Sequence, residues 1–370
     1  MKKVLLIGML AALLSFAACN GNNENATIPA FVEPELQTTA AAEPPSPPQE
    51  ESPPTEAEPV TEPPTEYVPA PSPTGTNAHG ALHRVSYNNN TAYLFGTIHV
   101  GHEEWFPLAD IVEYAIRRAD IIAVEVAEVA AGSTEGMEDA LLQFLFLADG
   151  QTWADILPDT HHAHLQEVIT AWGMPYEAVN TMNPALLINT LIVGLVMELT
   201  ELDINASVDF YVTAIANEYN IPIIGLESIE QQSDIIFNPP HDVLLAQIMD
   251  FGTPEEVLEF MLSGEMQGMD ELAYYYITNN LDAINAGFAL EMGAQHDCIA
   301  VTYMREIAMN WRSTYYANRI IYLLQETNEP TTFFVAVGLS HIIRSGAGEE
   351  FTDIVQQLTL AGFDVERLWE

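Results

Sequence analysis

Short runs of nearly unbroken apolar residues do most to limit what this chain can become. Ile121–Val126 and Thr332–Val337 are two of them, and Ile221–Leu226, opened by Pro222, is a third. A strand that is apolar on both faces has to be covered on both faces, which is the habit of parallel sheets. Ahead of them, Ala81–Tyr87, Asn88-Asn89-Asn90 and Thr91–Phe95 read as a hairpin around an asparagine-rich turn. Helices are expected over about Leu108–Arg118, through most of Glu138–Glu218 with breaks near Gly150, Pro158, Gly173 and Pro184, from Ile229 to Gln325, and over about Glu350–Leu360. A last strand is expected at Asp364–Leu368. The pattern predicts an α/β fold with a mixed, largely parallel central sheet and a long helical insertion.

The residues ahead of this domain behave differently. Lys2 and Lys3 precede a run of 14 apolar or small residues, Val4 to Ala17, and then Ala18 and Cys19. A basic start, a short apolar run and a small-residue end make an export signal. Phe16-Ala17-Ala18-Cys19 resembles a bacterial lipobox, with Phe16 in place of the usual leucine. Residues 1–19 are therefore expected to be a lipoprotein-type signal, with Cys19 lipidated and the protein held at the outer face of the bacterial cell membrane. Residues 20–79 carry ten Glu and no basic residue, and 14 of the 23 prolines fall between Pro29 and Pro73. Such a stretch cannot bury a core and reads as a disordered, semi-stiff tether. At about 3.1 Å per residue it would hold a domain on the order of 100 Å from a membrane. Residues 80–370 form the one globular domain.

Charge excludes whole classes of partner. The formal net charge is -43, from 53 acidic and 10 basic side chains. Nucleic acid is not expected, because phosphate binding needs clustered Lys and Arg, and the membrane is expected to be met only through the N-terminal lipid. Two cysteines are too few for a disulfide-stapled scaffold or a four-cysteine zinc site.

The chemistry gathers where the apolar strands stop. Tyr93-Leu94-Phe95 runs into Gly96-Thr97-Ile98-His99, and Phe333 to Val337 runs into Gly338-Leu339-Ser340-His341. In each, a glycine permits a tight turn or close backbone approach, and a histidine follows at a fixed offset. Ile121-Ile122-Ala123-Val124 leads into Glu125, and Ile223-Ile224-Gly225-Leu226 into Glu227. Ligands of open parallel sheets bind outside the carboxyl ends of the strands, so two His and two Glu meet there if these strands are neighbours. Two buried carboxylates side by side repel and raise each other's pKa unless a cation sits between them. Imidazole with carboxylate suits Mn, Fe, Co or Zn. The competing reading ties both glutamates into a network with arginine or backbone amides.

These segments together resemble the TraB/PrgY/GumN family. They are Leu94 to Gly101, Val124-Glu125-Val126, Gly225-Leu226-Glu227-Ser228 with Gln231, Val337 to His341, and the closing Ala361 to Val365. The resemblance implies a core related to erythromycin esterases and ChaN-like proteins. It implies a metal-dependent protease chemistry of the kind found in the family's Tiki members, with Mn or Co favoured over Zn or Fe. It places His99 and His341 as the motif histidines and Glu125 and Glu227 as the strand glutamates, all four as candidate metal ligands and catalytic groups. Arg312 falls where the family often has Arg-Asn, with Ser313 replacing the Asn, and is a candidate to steady an oxyanion or a substrate carboxylate. Ser207 replaces a frequent Gly two residues before Asp209. The function expected is a surface-tethered, metal-dependent hydrolase acting on a peptide or protein. The alternative, implied by PrgY-type members, is a protein that captures a peptide without turnover.

Other features carry less. His161 and His164 share a helix face, without a carboxylate motif beside them. His102-Glu103-Glu104 follows the first histidine motif. Cys298 reads as an unpaired small hydrophobe. Ser228 and Ser340 adjoin site residues but lack a nucleophile motif. Leu186–Met197 is too short to span a membrane.

Overall fold

In the computed structural model the described residues are 80–127, 142–148, 150–199, 202–262, 269–292 and 298–368. The expected signal and tether lie outside them. The six strands are β1 (Ala81–Tyr87), β2 (Asn90–Thr97), β3 (Ile121–Val126), β4 (Ile223–Glu227), β5 (Thr332–Gly338) and β6 (Val365–Arg367). They form one sheet in the order β4-β3-β5-β2-β1-β6. The neighbours from β4 to β2 run parallel, and β1 pairs antiparallel with both β2 and β6. The expected mixed, largely parallel sheet is therefore observed.

The hairpin is tighter than its asparagine run suggests. Tyr87 pairs with Asn90, leaving Asn88-Asn89 as the loop. Asn88 takes φ 52, a left-handed conformation that asparagine tolerates better than most residues. The Asn90 side chain is buried and donates to the carbonyls of Leu324 (2.9 Å) and Thr327 (2.7 Å). It thereby ties the turn to the end of the Arg312–Glu326 helix.

β5 lies at the centre because almost nothing on it is polar. Phe333 to Val337 are all buried, and each large side chain removed from water there contributes about 1.5–3 kcal/mol. β3 on one side and β2 on the other share this character. Successive parallel strands β2, β3 and β4 step outward, and β5 then returns between β3 and β2. Reversals of this kind open a crevice at the carboxyl ends of the strands.

Helices fill the connections much as the periodicity predicts. The Asp110–Arg117 helix buries Ile111, Val112, Ala115 and Ile116, and the Val208–Tyr219 helix ends at Asn220 (φ 56) before the chain enters β4. The helical insertion has a core of its own around Trp153, Leu165, Ile169, Leu187, Ile188 and Phe251. Its Pro184–Leu199 helix agrees with a core reading of Leu186–Met197. No helix among the described residues is long and apolar enough to cross a membrane.

Three expectations need correcting. The strand expected from Ile221 begins at Ile223, because Ile221 still closes the preceding helix by donating to Ala216 O, and Pro222 has no amide to give. The helix expected from Glu350 begins at Ile354, where the Asp353 side chain caps it by accepting from Gln356 N. Cys298 is disulfide-bonded rather than an unpaired hydrophobe; the chain's other cysteine, Cys19, lies outside the described residues.

Candidate functional site

The sheet order places the four strand ends side by side: Glu227 on β4, Glu125 on β3, His341 just past β5, and His99 just past β2. Two glycines make this convergence possible. A Cβ on Gly96 would lie 2.5 Å from Leu339 Cδ1 and 3.0 Å from Leu339 Cα, so only glycine lets the chain leaving β5 cross β2, where Leu339 N donates to Thr97 O (2.8 Å). A Cβ on Gly338 would lie 3.2 Å from Glu125 Oε1, 3.7 Å from His99 Nε2 and 3.8 Å from His341 Cδ2. The three predicted residues thus surround one small cradle above Gly338.

Each histidine is held from behind by Nδ1. His99 Nδ1 lies 2.9 Å from Asp209 Oδ2. Thr97 Oγ1 donates to Asp209 Oδ1 (2.7 Å). Asp209 stands in the first turn of the Val208–Tyr219 helix, capped by Ser207, whose hydroxyl accepts from Phe210 N. His341 Nδ1 lies 2.9 Å from Ser313 Oγ, and its ring packs edge-on against Tyr316 with centroids 5.1 Å apart. Its Nε2 faces Glu125 Oε1 at 4.0 Å.

The glutamates differ in role. Glu125 Oε1 accepts from Gly338 N (2.7 Å). Its Oε2 accepts from Gln232 Nε2 (2.9 Å) and Arg312 Nη2 (3.0 Å). Glu227 lies deeper, its side chain 1% exposed. Its Oε1 accepts from Arg312 Nη2 (2.6 Å), Tyr316 OH (2.6 Å) and Gln232 Nε2 (3.1 Å). The cation between the two glutamates is Arg312. Three protein donors meet Glu227 Oε1, while its Oε2 accepts from Arg312 Nε at 3.4 Å, so a guanidinium already balances this carboxylate. Arg312 is spent on Glu227, Glu125 and the Ala308 carbonyl, and its side chain is 2% exposed. It buttresses the site from below and is not placed to meet a substrate.

Protonation follows from these contacts. Burial opposes the Glu125 carboxylate, but Arg312, both histidines and the Gly338 amide outweigh it and hold its pKa near 2. Burial pushes the Glu227 carboxyl upward against the pull of Arg312. His341 is lowered to about 3, by burial first and Arg312 second. His99 goes the other way. Burial lowers it, yet Asp209 and Glu125 raise it to about 9. Asp209 and Glu125 thus hold a positive charge on His99, beside the Arg312 guanidinium that faces Glu125 and Glu227.

The donor types fit a divalent ion. His99 Nε2, Glu125 Oε1 and the Cδ2 edge of His341 border a space that a single Cβ would enter, and both rings are oriented through Nδ1, as metal-binding histidines usually are. The spacing is open. Among the described residues no group of three or more His, Cys, Asp or Glu is arranged to hold an ion. The 4.0 Å between His341 Nε2 and Glu125 Oε1 exceeds the roughly 3.3 Å between two donors on a tetrahedral ion with bonds of about 2.0–2.1 Å.

A family model described as TraB/PrgY/gumN matches residues 81–367. The chain belongs to the TraB/PrgY/gumN family. The match takes in all six strands and every residue of the site described above. No curated protein and no solved structure matches the chain.

Within this family member, sequence reasoning missed Asp209, Gln232 and Tyr316. Asp209 had the strongest signal, an acid two residues after a helix-capping serine. Ser313 supplies the hydrogen-bonding side chain behind His341. The lesser histidines are structural. His164 Nε2 is 3.0 Å from Phe251 O and His162 Nε2 is 2.9 Å from Tyr176 OH, both within the helical insertion. His102 caps the short helical turn of Glu103–Trp105.

Proposed function

We propose that this protein is a metal-dependent hydrolase acting on peptide bonds. The reading rests on one observation: His99, His341 and Glu125 meet around Gly338. These three residues would hold one divalent cation, with Mn or Co favoured and Zn or Fe compatible. When bound, such an ion supplies Lewis acidity to a carbonyl and to water. Glu125 spends Oε2 on Arg312 and Gln232, which keeps Oε1 turned toward the cradle. Asp209 accepts from His99 Nδ1, so Nε2 is the nitrogen that would give up its proton and be offered to the ion. Gly338 leaves the floor open for a reacting group. Glu227, Arg312 and Tyr316 hold this arrangement from beneath.

Chelation should abolish cleavage of a peptide library, Mn or Co should restore it, and His99→Ala should remove it. Equal turnover by His99→Ala would sink the proposal.

The alternative, capture of a peptide without turnover, draws on the open ligand spacing and on Arg312, which already supplies a cation to both glutamates. Saturable peptide binding that survives chelation, with no product after long incubation, would favour it.

We also propose export and anchoring at the outer face of the bacterial cell membrane through Cys19, with residues 20–79 as the tether. The intact mass of detergent-extracted protein tests this: a lipid increment is expected, and an unmodified mass contradicts the anchor.

A further inference from the structure

The two histidines of the cradle are not held alike. His341 leans on a hydroxyl, Ser313 Oγ, which either donates or accepts. His99 leans on Asp209 Oδ2 at 2.9 Å, and an ionised carboxylate only accepts. Asp209 therefore keeps a proton on His99 Nδ1 whether or not Nε2 also carries one, and Nε2 is turned to the cradle, 3.7 Å from the point a Gly338 Cβ would occupy. Asp209 is itself fixed twice. Thr97 Oγ1, two residues before His99, donates to its other oxygen at 2.7 Å, and Val208 N donates to Ile98 O at 3.1 Å. The strand end and the helix start are thus laced together around one carboxylate. The His99 and Asp209 side chains keep 24% and 29% exposure, so this lacing is the wall of the crevice open to solvent.

We infer that Asp209 is a positioning residue: it sets the tautomer and ring plane of His99, with Thr97 as its anchor, so that His99 Nε2 faces the cradle. This rests on the proposed metal-binding role of His99, but it makes a separate claim about where a proton sits. In protein labelled with ¹⁵N-histidine, the wild type should show a His99 Nδ1-bound proton shielded from solvent exchange. Asp209→Ala should lose that resonance and weaken Mn binding by about 10- to 100-fold, as loss of a carboxylate behind a ligand histidine does elsewhere. Asp209→Asn, whose side-chain oxygen still accepts from Nδ1, should keep the proton and recover much of the affinity. Thr97→Val should lie between.

An Asp209→Ala protein that keeps the protected proton overturns the inference. So does one in which Asp209→Asn rescues neither readout. If the wild type shows the proton and loses it in Asp209→Ala, yet binds no Mn, the positioning role stands and the metal reading fails.

Discussion

Arg312 Nη2 lies 2.6 Å from Glu227 Oε1, in a pair whose two side chains are all but hidden from solvent. A buried pair of this kind is a poor source of net stability but a costly thing to break. The same Nη2 reaches Glu125 at 3.0 Å, so its loss would strand two carboxylates. Arg312→Ala is expected to cost about 3–5 kcal/mol in urea unfolding. Adding Glu227→Gln should return part of that cost, since one stranded charge is then gone. Additive effects of the two substitutions would show that they are not coupled.

The two motif glycines should fail in different ways. Gly96→Ala forces a methyl against the backbone and side chain of Leu339, with the nearest atom at 2.5 Å, and should destabilise by about 1–3 kcal/mol. Gly338→Ala meets only side-chain atoms, from 3.2 Å outward. Its unfolding free energy should stay within about 1 kcal/mol of wild type, while Mn binding and hydrolysis fall because the methyl occupies the cradle. Equal loss of stability at both positions would contradict this division.

Stability should also respond to pH through a residue far from the cradle. His83 on β1 is buried, its Nδ1 has no hydrogen-bond partner, and it pairs across the sheet with Arg367. Burial first and Arg367 second lower its pKa from 6.5 to about 4. The fold therefore prefers the neutral ring. Its contribution is complete above pH 6.5 and is lost as pH falls from there through 4, by an amount of about 3 kcal/mol. His83→Leu should remove this component from the acid limb of a pH-stability curve, and an unchanged limb would assign it elsewhere.

What the sequence disclosed, and what it hid, follows from where each residue's neighbours come from. His99, Glu125, Glu227 and His341 were legible because each follows an apolar strand at a fixed offset, and parallel strands present their carboxyl ends on one side. Asp209, Gln232, Ser313 and Tyr316 come from helices, and which helix face meets the sheet depends on packing that no local pattern encodes. The same gap left the two glutamates ambiguous. Only the strand order β4-β3-β5 and the register of the Arg312–Glu326 helix decide that a guanidinium stands between them. The glycines were visible as turn-formers, but their necessity arises from Leu339 and Glu125, remote in sequence.

Titration of the metal-free protein with Co²⁺, followed by visible absorption, addresses the histidine-glutamate cradle most directly. The account predicts saturation at one ion with nitrogen-ligand bands in the wild type, and loss of those bands in His341→Ala. Identical spectra and isotherms for the two proteins would mean that Co²⁺ sits only on the acidic surface, and that the cradle above Gly338 is not a metal centre.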